Sequence, residues 1–182
     1  MGKRRTRDLA GPALVLAGAG VVVGAAAGGA LARRRRRGGT AAPTDAKLAA
    51  RRLLEEPWRG SWDAIDEVVA KSYVGHDPAE PDPIVGPAGL RAFAERYIAA
   101  FPGGAISVDA QFGDGDTIVT RWTARGTHTG ELAGIAPTGR EVTVEGITVS
   151  RVEGGKIVEE WRSWDRLGLL VQLGAIAEPA HA

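Results

Sequence analysis

The hydrophobic period of this chain changes at Gly104 from about 3.6 residues to 2, and that switch limits the fold more than any single motif does. Before it, three stretches carry apolar residues at helical spacing. DAKLAARRLLEEPW brings Ala49, Leu53 and Leu54 together and stops at Pro57. SWDAIDEVVAKSY carries Ile65, Val68 and Val69 on one stripe, with Asp63, Asp66 and Glu67 near its start, where the helix dipole favours negative charge. AGLRAFAERYIAAFPGG aligns Leu90, Phe93, Tyr97 or Ile98, and Phe101, and ends at Pro102-Gly103. Between the second and third lies VGHDPAEPDPIVGP, whose Gly75, Pro78, Pro81, Pro83 and Gly86 argue for a loop.

After Gly104 the alternation predicts four half-buried strands, Ala105 to Phe112, Thr117 to His128, Arg140 to Arg151 and Lys156 to Trp164. Gly113-Asp114-Gly115-Asp116 and Glu153-Gly154-Gly155 have the residue types of hairpin turns, while Gly130 to Gly139 is a longer connection. LGLLVQLGAI closes the domain as a short apolar element. Helices first and antiparallel strands afterwards define an α+β domain over residues 47–177, with three N-terminal helices packed on one face of a curved, mainly antiparallel sheet.

The charge divides the chain in two. Residues 1–37 hold nine Lys/Arg and one Asp, and residues 38–182 hold fourteen Lys/Arg and 21 Asp/Glu, so a tail of +8 precedes a body of −7. An acidic body excludes binding to a nucleic-acid backbone through the folded domain. The absence of Cys excludes disulfides, thiolate metal sites and Cys nucleophiles. Within the tail, Leu9 to Ala32 is an uncharged run of 24 residues, which as a helix of about 36 Å spans a hydrocarbon core of roughly 30 Å. It reads as a separate apolar helix and single-pass membrane anchor, followed by a linker at 38–46 and closed by a short tail at 178–182. Five Arg after the run against Lys3, Arg4, Arg5 and Arg7 before it lean slightly to a cytoplasmic body. The alternative is a cleaved export signal, with Arg4-Arg5 as a twin-arginine pair and Ala30-Leu31-Ala32 as the cleavage site.

Strand parity selects the candidate site. In Thr117 to His128, Trp122 and His128 alternate with Arg121 and Arg125 and are expected to face the interior. In the last strand Ile157, Glu159, Trp161, Ser163 and Asp165 share parity, which predicts Trp161 and Asp165 together at the end of an apolar pocket. A carboxylate beside Trp161 is desolvated and becomes a stronger base. Asp165 also precedes RLGLLVQLG, where Asp is a favoured N-cap. Glu145 shares parity with Ile147 and Val149 and is either a second pocket carboxylate or an outer-face residue. His76 and His128 are the body's candidates for donating to a substrate oxygen, the alternatives being a bond to loop backbone and a half-exposed strand end. Trp122 and Trp161 are either core residues or a platform for substrate. Two His and one Asp without a spaced motif imply neither a metal nor a cofactor.

The strings GTHTGELAGIAPTGREV and GITVSRVEGGKIVEEWRSWDRLGLLVQLG, with HDP at His76, GPAGLRAF and AFPGG, resemble the SnoaL-like polyketide cyclases and the wider ester cyclase group of the nuclear-transport-factor-2-like superfamily. The resemblance covers roughly Leu48 to Ile176 and implies a cone-shaped α+β barrel. It also implies cofactor-free intramolecular aldol closure, or a related lyase or isomerase step, on an apolar carbonyl-bearing substrate such as a polyketide. In that family an aspartate at the end of the final strand is the general acid/base, and Asp165 in WRSWD matches it; the residues themselves suggest His128 as its oxyanion partner. The alternative is a non-catalytic small-ligand-binding or homodimeric module held at a membrane.

Overall fold

The computed structural model describes residues 43–177. The apolar run at 9–32, its basic flanks and the tail at 178–182 lie outside these residues. Among the described residues no helix is long and apolar enough to cross a membrane.

Helix α1 (Pro43–Glu55) begins inside the stretch read as a linker, and a 3-10 turn at Pro57–Arg59 follows it. Helix α2 (Asp63–Val68) is only six residues long, because Val69 turns extended and starts strand β1 (Val69–His76). Strand β2 (Ile84–Val85) and helix α3 (Gly86–Ala100) precede four long strands, β3 (Ala105–Asp114), β4 (Thr117–Thr127), β5 (Glu141–Glu153) and β6 (Lys156–Trp164), and helix α4 (Arg166–Leu173) closes the domain.

The result is an α+β fold on one mixed, curved sheet of six strands in the order β2-β1-β6-β5-β4-β3. The edge strands β2 and β3 are not paired with each other, so the sheet is open and does not close as the expected barrel. All four predicted strands are present. Strands β1 and β2 lie where the sequence pattern predicts a helix to Tyr73 and a loop from Val74. The stripe of Ile65, Val68 and Val69 is helical in spacing, but pairing of β1 in parallel with β6 overrides it. Gly75, read as a loop breaker, lies in β1 opposite Ile84. A Cβ there would sit 2.5 Å from the Tyr73 hydroxyl, so the position needs glycine for close packing.

A register shift in β6 decides which residues face inward. Arg151 pairs with Glu159 while the next residue, Val152, pairs with Ile157, leaving Val158 as an extra residue in β6. The bulge inverts parity beyond it. Ile157 is buried before it, and Glu160, Arg162 and Trp164 turn inward after it, while Trp161 is 41% exposed on the opposite face. The core forms two apolar clusters, one around Leu53, Ile65, Tyr73 and Ile118, the other around Phe101, Trp122, Val144 and Leu169.

Candidate active site

Between the helices and the inner face of the sheet is a cavity of about 140 Å³, comparable to one that encloses a single aromatic ring. Its walls are apolar, with Leu90 and Phe93 from α3, Trp122 from β4, Val142 and Val144 from β5 and Leu169 from α4. Gly146 makes room for the Trp122 ring, since a Cβ there would lie 2.2 Å from it. The Trp122 indole N–H donates to Thr148 Oγ1 at 3.0 Å, which fixes the ring against the cavity.

The polar side of the cavity comes from β1 and β6. Asp77 follows β1 and shares the inward parity of Tyr73 and Gly75. It is 8% exposed, accepts from the Trp164 indole N–H at 3.2 Å through both carboxylate oxygens, and accepts from the Ala79 amide at 2.8 Å. These donors hold the carboxylate in place, and among the described residues it makes no direct ion pair, although its charge helps to keep Arg162 protonated. Glu160, by contrast, is ion-paired with Arg162 at 2.6 Å and accepts from the hydroxyls of Tyr73 at 2.9 Å and Ser150 at 2.8 Å. Arg162 Nη2 also donates to the Tyr73 oxygen at 2.7 Å. Burial pulls the guanidinium toward neutrality, but the adjacent Glu160 and Tyr73 outweigh that and hold Arg162 above its ordinary value, so it remains a cation. Burial, and secondarily the Glu160 charge, pushes the Tyr73 phenol well up. Tyr97 borders the same cavity and is pushed up to about 12 by burial and by the charges of Asp77 and Glu80, so its hydroxyl is a neutral donor at ordinary pH.

Of the six site residues read from sequence, only Trp122 lines this cavity. Asp165 is the N-cap of α4. Its Oδ1 accepts from the Gly168 amide at 2.7 Å, and a Cβ on Gly168 would sit 2.0 Å from its other oxygen, so the D-R-L-G sequence builds the cap. The Val158 bulge puts Trp161 and Asp165 on the face away from the cavity, which corrects the parity expectation. On that outer face Trp161 stacks on His76 with ring centroids 5.5 Å apart, and His76 Nε2 meets Glu159 at 3.1 Å. Glu145 is also outside, 3.9 Å from Arg121, because Val144, Gly146 and Thr148 supply the inner face of β5.

His128 does face inward, but it is fully buried beyond the cavity's end, packed on Phe101 beneath the connection at 130–139. Its Nδ1 accepts from the Thr138 backbone N–H at 3.2 Å, which leaves the proton on Nε2. Sequence reasoning missed Asp77, Glu160 and Arg162. The HDP string contained the signal for the first, since β1 parity selects Asp77 over His76 once the strand is recognised.

A curved sheet over an apolar cavity with a few convergent polar groups has the form of a small-molecule site, and the α+β fold is consistent with a nuclear-transport-factor-2-like scaffold. The profile of the SnoaL-like polyketide cyclase family matches residues 47–173, and the chain belongs to that family. Among solved structures it is similar to IdmH, a candidate polyketide cyclase of Streptomyces antibioticus, at 30% identity and a TM-score of 0.61, covering 74% of this chain and 99% of that one. It is also similar to AclR, a candidate hydroxylase of Streptomyces galilaeus, at 25% identity and a TM-score of 0.67, covering 76% and 87%. A candidate SnoaL-like polyketide cyclase of Jannaschia sp. CCS1 shares the fold at 22% identity and a TM-score of 0.68, covering 75% and 97%. Comparison with curated proteins yields no match.

Proposed function

We propose that the protein performs cofactor-free acid/base chemistry on a small apolar carbonyl compound of polyketide type, with Asp77 as the proton-transfer group. The observation that carries this reading is a carboxylate on an apolar cavity, fixed by neutral donors and, among the described residues, in no direct ion pair. Family membership supports a cyclase-like step, and the kinship with both cyclase- and hydroxylase-named proteins keeps the scaffold separate from the reaction. In the proposed step Asp77 removes a proton from the carbon next to a carbonyl. The resulting enolate attacks a second carbonyl of the same molecule, a carbon–carbon bond forms, and Asp77 returns the proton to the new alkoxide. The neutral Tyr97 hydroxyl on the same cavity is suited to donating to oxygen as negative charge develops there.

The test is deuterium exchange at the α-carbon of 2-tetralone in D₂O, catalysed by the full-length protein. Asp77→Asn is expected to lower the rate at least about a hundredfold, the scale of a lost general base, and Asp165→Asn to change it less than threefold. Exchange unchanged in Asp77→Asn would sink the assignment. Saturable binding without exchange in the parent protein would establish a non-catalytic binding module instead.

The uncharged run at 9–32 supports attachment of this domain to a membrane. The full chain should then sediment with membranes and resist extraction by high salt, and a chain lacking residues 1–37 should not. Full-length protein in the supernatant would remove the anchor.

A further inference from the structure

Trp122 is fixed across the sheet side of the cavity. It reaches from β4 to β5, and its six-membered ring lies over Gly146, where a Cβ would sit 2.2 Å from it. Its indole N–H donates to Thr148 Oγ1 at 3.0 Å, and both residues are buried. Swinging the ring aside would break this bond and leave a buried donor unpaired, a cost that contact with an apolar ligand does not offset. Gly146 and Thr148 therefore form a seat, in which the glycine gives the ring room and the threonine holds it.

The helix side is held as well. The Phe93 ring of α3 has the guanidinium groups of Arg162 at 5.2 Å and Arg96 at 5.7 Å, and Tyr97 packs on it at 5.1 Å. With both aromatic walls held, a ligand meets a cavity of about 140 Å³ that does not widen on entry. An apolar cavity of roughly 150 Å³ is the size that takes benzene. One ring is thus enclosed, and a ring fused to it that carries the carbonyl extends toward Asp77 and Tyr97 on the polar side. A third ring would need the space over β5 that the indole occupies. We infer that Trp122 sets the size of the substrate, confining the site to compounds of one ring or two fused rings and excluding larger ring systems. This rests on the cavity being the reaction site and deepens that reading. It makes Trp122 the residue that determines specificity, with Gly146 and Thr148 positioning it.

The experiment compares 1-indanone and 9-fluorenone, flat ketones of two and three fused rings, binding to the full-length protein by titration. Burial of apolar area alone makes 9-fluorenone the tighter ligand. Confinement by Trp122 reverses that order, and 1-indanone is expected to bind at least tenfold more tightly. Trp122→Phe, which shortens the ring and keeps the wall apolar, should reduce this preference to less than threefold. Gly146→Ala, which pushes the indole off β5 into the cavity, should weaken 1-indanone binding at least tenfold. If Trp122→Phe does not fold, Thr148→Val, which frees the indole with little change in shape, should reduce the preference to less than threefold in its place. Binding of 9-fluorenone as tight as that of 1-indanone, a preference unchanged in Trp122→Phe, or 1-indanone binding unchanged in Gly146→Ala would overturn the inference while leaving Asp77 as the base. Failure of both ketones to bind would overturn both it and the reading of the cavity. None of these outcomes depends on turnover, so exchange unchanged in Asp77→Asn would remove the base and leave the size limit standing.

Discussion

Asp77 and Glu160 show how little a residue's type says about its role. Both are carboxylates at the cavity, yet Glu160 is consumed by an internal ion pair and two hydroxyls, while Asp77 is held by an indole and an amide. The phenols nearest to them report on the same environment. Tyr73 and Tyr97 are the only tyrosines in the chain, and both are pushed up from the ordinary value of 10.0, chiefly by burial. A raised pKa in the folded state contributes stability that is complete below the unfolded value and is lost as pH rises through the folded one. Absorbance at the tyrosinate band should therefore stay flat through about pH 10 to 11 in the native protein, then rise with unfolding. A normal titration near pH 10 would contradict the burial of both hydroxyls.

At the scale of elements, helix α4 and strand β6 supply different sides of the cavity, where sequence parity points to Asp165 and Trp161. The capped α4 contributes Leu169 to the cavity wall, and the inward face of β6 contributes the polar groups. Asp165→Ala should cost about 1 kcal/mol, the usual worth of an N-cap, seen as a lower midpoint in urea with 2-tetralone exchange retained by the folded protein. Loss of exchange without loss of stability would return Asp165 to the chemistry. Strands β3 to β5 and α3 were legible because each carries its own period over ten or more residues, and β6 because its nine residues follow a hairpin turn. Strand β1 was not, because its neighbours Ile65 and Val68 fit a helix locally and its partner β6 lies more than 80 residues away. The Val158 bulge was equally hidden. The string KIVEEW contains no Gly or Pro to mark an extra residue, yet that residue reverses every side chain from Glu159 to Trp164 and exchanges Trp161 and Asp165 for Arg162 and Trp164.

For the whole molecule, the fold was more legible than the site, because layer architecture follows from summed periodicity and a site follows from single registers. The inward direction of Trp122 and His128 was readable from β4, where no bulge intervenes between them. What separates their fates is the connection at 130–139, which covers His128 and leaves Trp122 on the cavity. The same molecule thus carries two polar clusters on opposite faces of one sheet, the Asp77–Arg162 group inside and the His76–Glu159–Arg151 group outside. The central claim is that ligand chemistry belongs to the inner one. A crystal structure of the full-length protein with 2-tetralone bound tests it most directly. The ligand is expected in the inner cavity between Phe93 and Trp122, with its α-carbon toward Asp77. A ligand seated instead beside Trp161 or Asp165, with the cavity empty, would contradict it.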